Sequence, residues 1–403
     1  MMLWLLIRRG LRQHLVSTAV AVLLVALGLG LVISVWVVRA EAEQSFTRSA
    51  SGFDAVLGAR GSKLQLVLNG LFHQEASPGN ITAEDYQQIK SLPVVDRAIP
   101  IVVGDNVRGV RLVGVSDDFF QGLEYAPDHV YTVEPGGRTF QVGQKEAVVG
   151  SLAAHQLGWS IGTQFHPFHG LDYNPSAQHS EVFTVVGLLA PTNTPADRVI
   201  WVPLEGVQRL GGHDPAAFTD LSAVLIKFKP GAQAAGFMLD TRYNRQGRRL
   251  TLAWPVAAIL GDLFAKFSWF EDALQALAYM VAVVAGASVF SAVYSSMSAR
   301  KRDLAILRAL GAHRGFLIAA VLGESACIGV LGCALGFGLY AGIASLVQEL
   351  LRTRIGVLLE PWAWNPVLVW GPALMLGLSV AAGAIPAWRA YRLSVADGLA
   401  PLS

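Results

Sequence analysis

The sequence predicts a membrane protein: four transmembrane α-helices, with a large extracytoplasmic α+β domain inserted between the first and second. Three observations predict it. The 403 residues are 53% hydrophobic and only 15% charged, where an ordinary soluble domain is about 25% charged. The apolar excess is collected into four runs: Leu15–Val38, Ala273–Ala299 and Pro366–Trp388 hold no Asp, Glu, Lys or Arg, and Gly315–Gln348 holds only Glu324. Between the first and second runs lies Arg39–Asp272, of ordinary globular composition. A formal net charge of +2 is too mild to imply a nucleic-acid partner.

A spanning helix needs roughly 20 apolar residues, and each run meets that length. The predicted order is a cytoplasmic N-terminus and first span (1–38), a core domain (39–255), a stalk helix running into the second span (256–299) and a short cytoplasmic helix (300–314). The third span (315–348), a short external loop (349–365), the fourth span (366–388) and a cytoplasmic tail (389–403) complete it. The cations set the orientation. Arg8, Arg9 and Arg12 precede the first span, Arg300, Lys301, Arg302, Arg308 and Arg314 lie between the second and third, and Arg389 and Arg392 follow the fourth. The external loop region has only Arg352 and Arg354. Both termini and the 300–314 loop are thus expected in the cytoplasm, and the 39–272 domain outside, in the periplasm of a two-membrane cell. Trp4, Trp36, Trp269, Trp362, Trp364 and Trp388 sit near the expected water–lipid borders, where an amphipathic ring is favoured. Ala40-Glu41-Ala42 has the small-x-small form of a signal-peptidase site, but the first run exceeds the usual 7–15-residue h-region and reads as a retained span.

In the inserted domain, Thr82-Ala83-Glu84-Asp85 is expected to open a helix through Leu92, with Thr82 as N-cap and Asp85 in the capping-box position. Short β-branched runs follow at Ile99–Val103, Gly109–Val115, Ala147–Gly150, Val182–Leu189, Arg198–Pro203 and Ala223–Phe228, punctuated by Gly and Pro. They read as an α+β domain, with a division into two subdomains left open. Gly58–Lys63 reads as a turn before the amphipathic stretch Leu64–Phe72. Val256, Leu260, Leu263, Phe267, Phe270, Leu274 and Leu277 step by four and three. This stripe keeps its phase across Glu271 and Asp272, favouring one continuous stalk over two abutting helices, with Leu260, Leu263, Phe267, Phe270 and Leu274 as candidates for stalk or dimer packing.

No Gly-Lys dipeptide occurs, so there is no Walker A phosphate loop, and G-x-S-x-G and H-E-x-x-H are also absent. The chain is not expected to be an enzyme or to bind a cofactor. The two cysteines, Cys327 and Cys333, fall inside the third span and read as packing residues. His166, His169 and His179, with Asp172 between them, are candidates for a metal site. Pro167, Gly170 and Pro175 keep that segment from being one helix, and an exposed polar loop is the plainer reading. Glu324 early in the third span is either functional, since a carboxylate in lipid needs a partner, or an anchor near the cytoplasmic interface. Gly332–Gly336 and Gly338–Gly342 are two G-x-x-x-G motifs, serving close packing either within one subunit or between two.

The loop residues Arg300, Lys301, Arg302, Asp303, Ile306, Leu307, Arg308, Ala309, Leu310 and Gly311 form the strongest local signal. Helix formers dominate, Leu304, Leu307 and Leu310 make an apolar face, and Gly311 is placed to cap the end. The physical reading is a short amphipathic helix at the inner membrane surface, bound either to headgroups or to a partner protein. The run Arg302–Ala312 resembles the R-E-I-G-I-L-R-A-L-G-A signature of the FtsX-like, MacB-type ABC transporter permeases of the mechanotransmission class. Glu324 matches the acidic residue those permeases carry early in the third span, and Pro386-Ala387-Trp388-Arg389-Ala390 is similar to their closing P-A-x-x-A motif. Val113–Phe120 and Phe183–Gly187 are similar to their periplasmic core domain. Asp303 stands where Glu is usual, Ser394-Val395 replaces a common Asp-Pro, and Phe53–Phe72 departs from the macrolide-efflux members.

The resemblance implies a permease subunit that dimerises, as homodimer or heterodimer, and recruits a separate cytoplasmic ABC ATPase. ATP and Mg²⁺ would then sit on that partner, and Arg300–Arg314 would be the coupling helix. A periplasmic adaptor or substrate-binding protein is a further implied partner, and membrane lipid surrounds the spans. Implied roles include efflux or export, and lipoprotein- or metal-related substrate handling. The alternatives are an ABC-driven regulator of a periplasmic hydrolase or sensor kinase, and a metal-binding membrane protein built on His166, His169 and His179.

Overall fold

Among the described residues of the computed structural model, four helices are long and apolar enough to cross a membrane: Leu15–Glu41, Val256–Ala299, Arg314–Arg352 and Val367–Arg389. The structure describes residues 2–49, 52–211, 215, 218–355 and 362–392. The expected tail beyond Arg392 and residues 356–361 of the expected external loop lie outside them. The chain divides into two units: the helical unit (Met1–Glu41, Ser268–Gln348, Glu360–Ser403) and the inserted domain (Ala42–Phe267, Glu349–Leu359).

In chain order, α1 (Met2–Gln13) and α2 (Leu15–Ser49) precede β1 (Ala55–Ala59), α3 (Lys63–Gly70), α4 (Ala83–Lys90), β2 (Val95–Val107) and β3 (Val110–Val115). Then come β4 (Glu124–Ala126), β5 (His129–Val130), β6 (Glu146–Val149), α5 (Ser151–Leu157), β7 (Gln164–Phe165), β8 (Phe168–His169) and β9 (Phe183–Leu188). β10 (Ile200–Pro203), α6 (Leu204–Gln208), β11 (Ala223–Phe228), α7 (Ala235–Asp240) and β12 (Leu250–Ala253) close the inserted domain. α8 (Val256–Ala299), α9 (Lys301–Ala309), α10 (Arg314–Ile355) and α11 (Val367–Arg392) follow.

The inserted domain is built on one mixed sheet of ten strands, ordered β12-β1-β11-β2-β3-β10-β6-β9-β7, with β8 pairing β2. The pairs β10–β3 and β6–β9 are parallel and the other pairs in this sheet antiparallel. Central strands such as β11 and β10 are buried nearly throughout because helices and loops cover both faces, which is why they read as apolar runs rather than alternations. Trp201 on β10 is buried, stacks on Phe119 with ring centroids 4.5 Å apart, and donates its Nε1–H to the Ala196 carbonyl at 3.1 Å.

Capping residues set the helix starts. Thr82 Oγ1 accepts from the Asp85 N–H at 3.3 Å while the Thr82 N–H donates to Asp85 Oδ2 at 3.0 Å, a complete capping box on α4. Arg249 next to β12 forms an ion pair with the same carboxylate, Nη1 to Oδ2 at 2.7 Å. Burial pushes the Asp85 carboxyl up, but the hydrogen bonds from Arg249 and Thr82 outweigh it and hold it below the usual carboxylate range. Ser62 caps α3, so the expected turn is confined to Arg60–Ser62 and Gly58 belongs to β1.

α8 is one unbroken helix of 44 residues. Its apolar stripe divides: Val256 and Leu260 are buried in the core of the inserted domain, while Phe267, Phe270, Leu274 and Leu277 are exposed in the single chain. Within the helical unit, Arg39 Nε lies 3.0 Å from Glu271 Oε2, so the charges interrupting the stripe are paired. Glycines let α2 and α10 meet closely: a Cβ on Gly332 would press into Val25, and one on Gly336 would meet the Ala26 carbonyl at 3.1 Å. Gly338 and Gly342 face open space. The first G-x-x-x-G motif therefore packs within the chain.

Candidate functional site

The sharpest constellation in the helical unit gathers where α8 hands over to α9. α8 ends at Ala299 and Arg300 leaves helical geometry, acting as the N-cap residue of α9. Its side chain turns back into the bundle. Arg300 Nη2 lies 2.7 Å from Glu324 Oε2 on α10 and donates to Ser296 Oγ on α8 at 2.8 Å. Arg300 Nη1 donates to the Leu6 carbonyl of α1 at 3.2 Å. Glu324 is 3% exposed. Glu324 is thus buried and paired with Arg300. Gly10 makes the approach of α1 possible, because a Cβ there would lie 2.6 Å from Glu324 Oε2 and collide with the guanidinium. One cation thus joins α1, α8 and α10 beneath the start of α9.

α9 ends in a Schellman arrangement: the Ala312 N–H donates to the Leu307 carbonyl and the Gly311 N–H to that of Arg308, both at 3.0 Å, with Gly311 at φ +100°. Leu304 and Ala305 are buried, Leu307 and Arg308 half-buried, and Lys301, Arg302, Asp303, Ile306, Ala309 and Leu310 exposed. The apolar face read from the sequence is therefore split. Leu304 belongs to the core of the helical unit, whereas Leu310 is 80% exposed because the chain leaves the helix there. The outward surface is a small apolar patch, Ile306 and Leu310, bordered by cations.

The histidines expected to act together are distributed differently. His169 and His179 come together, and the third member is Asp105 on β2, with one ligand-capable atom from each lying within 4.8 Å of the others. His166 instead donates from Nδ1 to the His179 carbonyl at 3.2 Å, bracing the backbone. Asp172 also contributes backbone, its carbonyl accepting from Asn106 Nδ2 at 3.2 Å. The β2–β3 register shifts between Val103 and Asp105, a bulge at Gly104 that re-aims the next residues. Asp105 then stands opposite His169 in the β2–β8 ladder. The only local hint was a glycine inside a β-branched run, Val103-Gly104-Asp105.

Comparison with known proteins places the chain. Residues 18–239 match the model of the MacB-like periplasmic core domain, and residues 276–395 that of the FtsX-like permease C-terminal region. The first match alone covers more than half of the chain. The chain belongs to the FtsX/MacB-type ABC transporter permeases.

Among curated relatives, the macrolide export ATP-binding/permease protein MacB of Chromobacterium violaceum is 31% identical over 137 residues, 32% of this chain and 20% of that protein. The same-named protein of Neisseria meningitidis serogroup A is 29% identical over 127 residues, 32% of this chain and 19% of that protein. The matched region thus spans about a fifth of those relatives' length. The solved periplasmic region of MacB from Actinobacillus actinomycetemcomitans overlays with a TM-score of 0.36 at 10% identity, covering 53% of this chain and 95% of that one. The extracellular domain of the noncanonic ABC-type transporter YknZ from Gram-positive bacteria gives 0.31 at 15% identity, covering 49% and 97%.

Proposed function

We propose that this permease works by mechanotransmission, coupling a separate cytoplasmic ATPase to movements of its extracytoplasmic domain. In this reading ATP and Mg²⁺ reside on the partner, both termini and α9 face the cytoplasm, and two permease chains pair along α8. The work done serves efflux or export, or the handling of lipoprotein- or metal-related substrates outside the inner membrane.

The observation that carries the reading is the mounting of α9. Its outward face offers Ile306, Leu310 and cations to a partner, while its N-cap residue, Arg300, is tied to three helices. A helix so anchored transmits a push instead of absorbing it. The cation excess around α9 supports its cytoplasmic placement, and the exposed Phe267, Phe270, Leu274 and Leu277 of α8 support pairing with a second copy.

The test is co-expression with candidate ATPases and affinity isolation from detergent. Ile306→Asp and Leu310→Asp should abolish the complex and the stimulation of ATP hydrolysis while leaving the melting temperature of the permease unchanged. A complex with full stimulation in both variants refutes the assignment of α9.

A further inference from the structure

We propose that Asp105, His169 and His179 form a binding site for a borderline divalent cation of the zinc class on the inserted domain. Tautomer logic comes first. His179 Nδ1 lies 2.8 Å from the Gly211 carbonyl, which only accepts, so Nδ1 carries the proton and donates. In the neutral ring Nε2 then presents a lone pair, and it faces Asp105 Oδ1 at 3.4 Å. His169 Nδ1 faces the same oxygen at 3.5 Å. One ligand-capable atom from each of the three residues thus lies within 4.8 Å of the others.

The spacing and the donor set are compatible with a bound metal. Charge-assisted N–H···O bonds close to about 2.7–2.9 Å, so 3.4 and 3.5 Å are slack for imidazolium–carboxylate contacts. In a tetrahedral site with metal–ligand bonds of about 2.0–2.1 Å, neighbouring ligand atoms stand roughly 3.3 Å apart. Two imidazoles and one carboxylate favour zinc, copper or nickel over magnesium or calcium, which take all-oxygen shells.

The surroundings are those of a built site. Asp105 is fully buried and His179 nearly so, a costly place for a carboxylate. The Gly211 carbonyl orients His179 as an outer partner of a metal ligand does. Gly211 is in turn held by Glu181, whose Oε1 accepts its N–H at 3.0 Å. Asn106 Nδ2 reaches the Gly170 carbonyl at 2.9 Å and fixes the turn carrying His169. The His169 side chain is 60% exposed, giving the cation an entry path. Three protein ligands with solvent on one side leave a fourth position open, the form of a site that exchanges metal or hands it on.

The experiment uses the untagged full-length chain in detergent, stripped with chelator, dialysed and titrated calorimetrically with zinc chloride. One equivalent should bind at micromolar or tighter affinity. His169→Ala and Asp105→Asn should weaken it by at least roughly tenfold, and His166→Ala should bind as wild type. His169→Ala removes an exposed ring, so it keeps the test valid if substitution at buried Asp105 impairs folding. Cobalt(II) should give the visible bands of a four-coordinate site in wild type and lose them in His169→Ala, and magnesium should give no heat. The proposal is overturned by absence of zinc binding, by equal affinity in wild type and His169→Ala, or by magnesium binding as tightly as zinc.

Discussion

The Arg300 guanidinium lies 2.7 Å from the Glu324 carboxylate, and the same group reaches Ser296 and the Leu6 carbonyl. Removing one member of such a buried pair leaves the other charge uncompensated, at about 3–5 kcal/mol. Glu324→Ala should therefore lower the melting temperature of the detergent-solubilised chain strongly, and Glu324→Gln less, since the amide oxygen still accepts from Arg300. An unchanged melt for Glu324→Ala would show that the pair contributes nothing.

Two glycines only two residues apart should respond oppositely to enlargement. Gly336 abuts the Ala26 carbonyl and Leu29, whereas Gly338 meets open space. Gly336→Leu is expected to cost about 1–3 kcal/mol by overpacking, and Gly338→Leu to leave chain stability unaltered. Thermal melts of the two variants side by side decide it, and equal losses would contradict the packing of α2 on α10.

Asp85 serves two structures at once, the α4 capping box and the ion pair with Arg249. Thr82→Ala removes only capping and should cost about 1 kcal/mol. Asp85→Ala should cost more, because it also strands Arg249. Chemical unfolding followed by the tryptophan signal of the inserted domain would rank them, and the reverse order would count against the dual role.

His73 gives the inserted domain an acid sensitivity. Burial lowers its imidazole from 6.5 to about 3, with a contact to Asn69 working against the shift and the charges of Arg111 and Arg198 adding to it. The unfolded chain takes up this proton near pH 6.5 and the folded chain only near 3. Between those values the unfolded state binds more protons, so stability falls as pH falls, by about 1.4 kcal/mol per pH unit, and is unaffected above. Asp85, also depressed, adds its loss at the acid end of the range. His73→Gln should flatten the upper part of that dependence, and an unaltered slope would remove His73 as its source.

The four spans were legible because lipid demands an extreme composition, and no soluble element imitates a charge-free run such as Leu15–Val38. β11 and β3 were legible from their β-branched residues. β1, Ala55-Val56-Leu57-Gly58-Ala59, was not, since small residues carry little strand preference and only its place between β11 and β12 makes it one. α1 escaped notice because its three arginines were read as a topology signal. Two of the three members of the candidate metal site were visible, His169 and His179. Asp105 was not, because a residue far away in sequence is brought opposite His169 by strand pairing, which no local spacing encodes. His166 stands outside the cluster for a related reason: sequence spacing does not reveal that its ring Nδ1 turns to the His179 carbonyl.

The placement of Arg300 ahead of Glu324 in the chain has a consequence for biogenesis. A carboxylate delivered to the bilayer without a counter-ion resists partition into lipid. Ribosomes make the chain from its N-terminus, so Leu6, Ser296 and Arg300 have all been produced before Glu324 emerges. The carboxylate can then enter the membrane beside a cation that already waits at the end of α8, and the order of synthesis itself lowers the barrier to inserting α10.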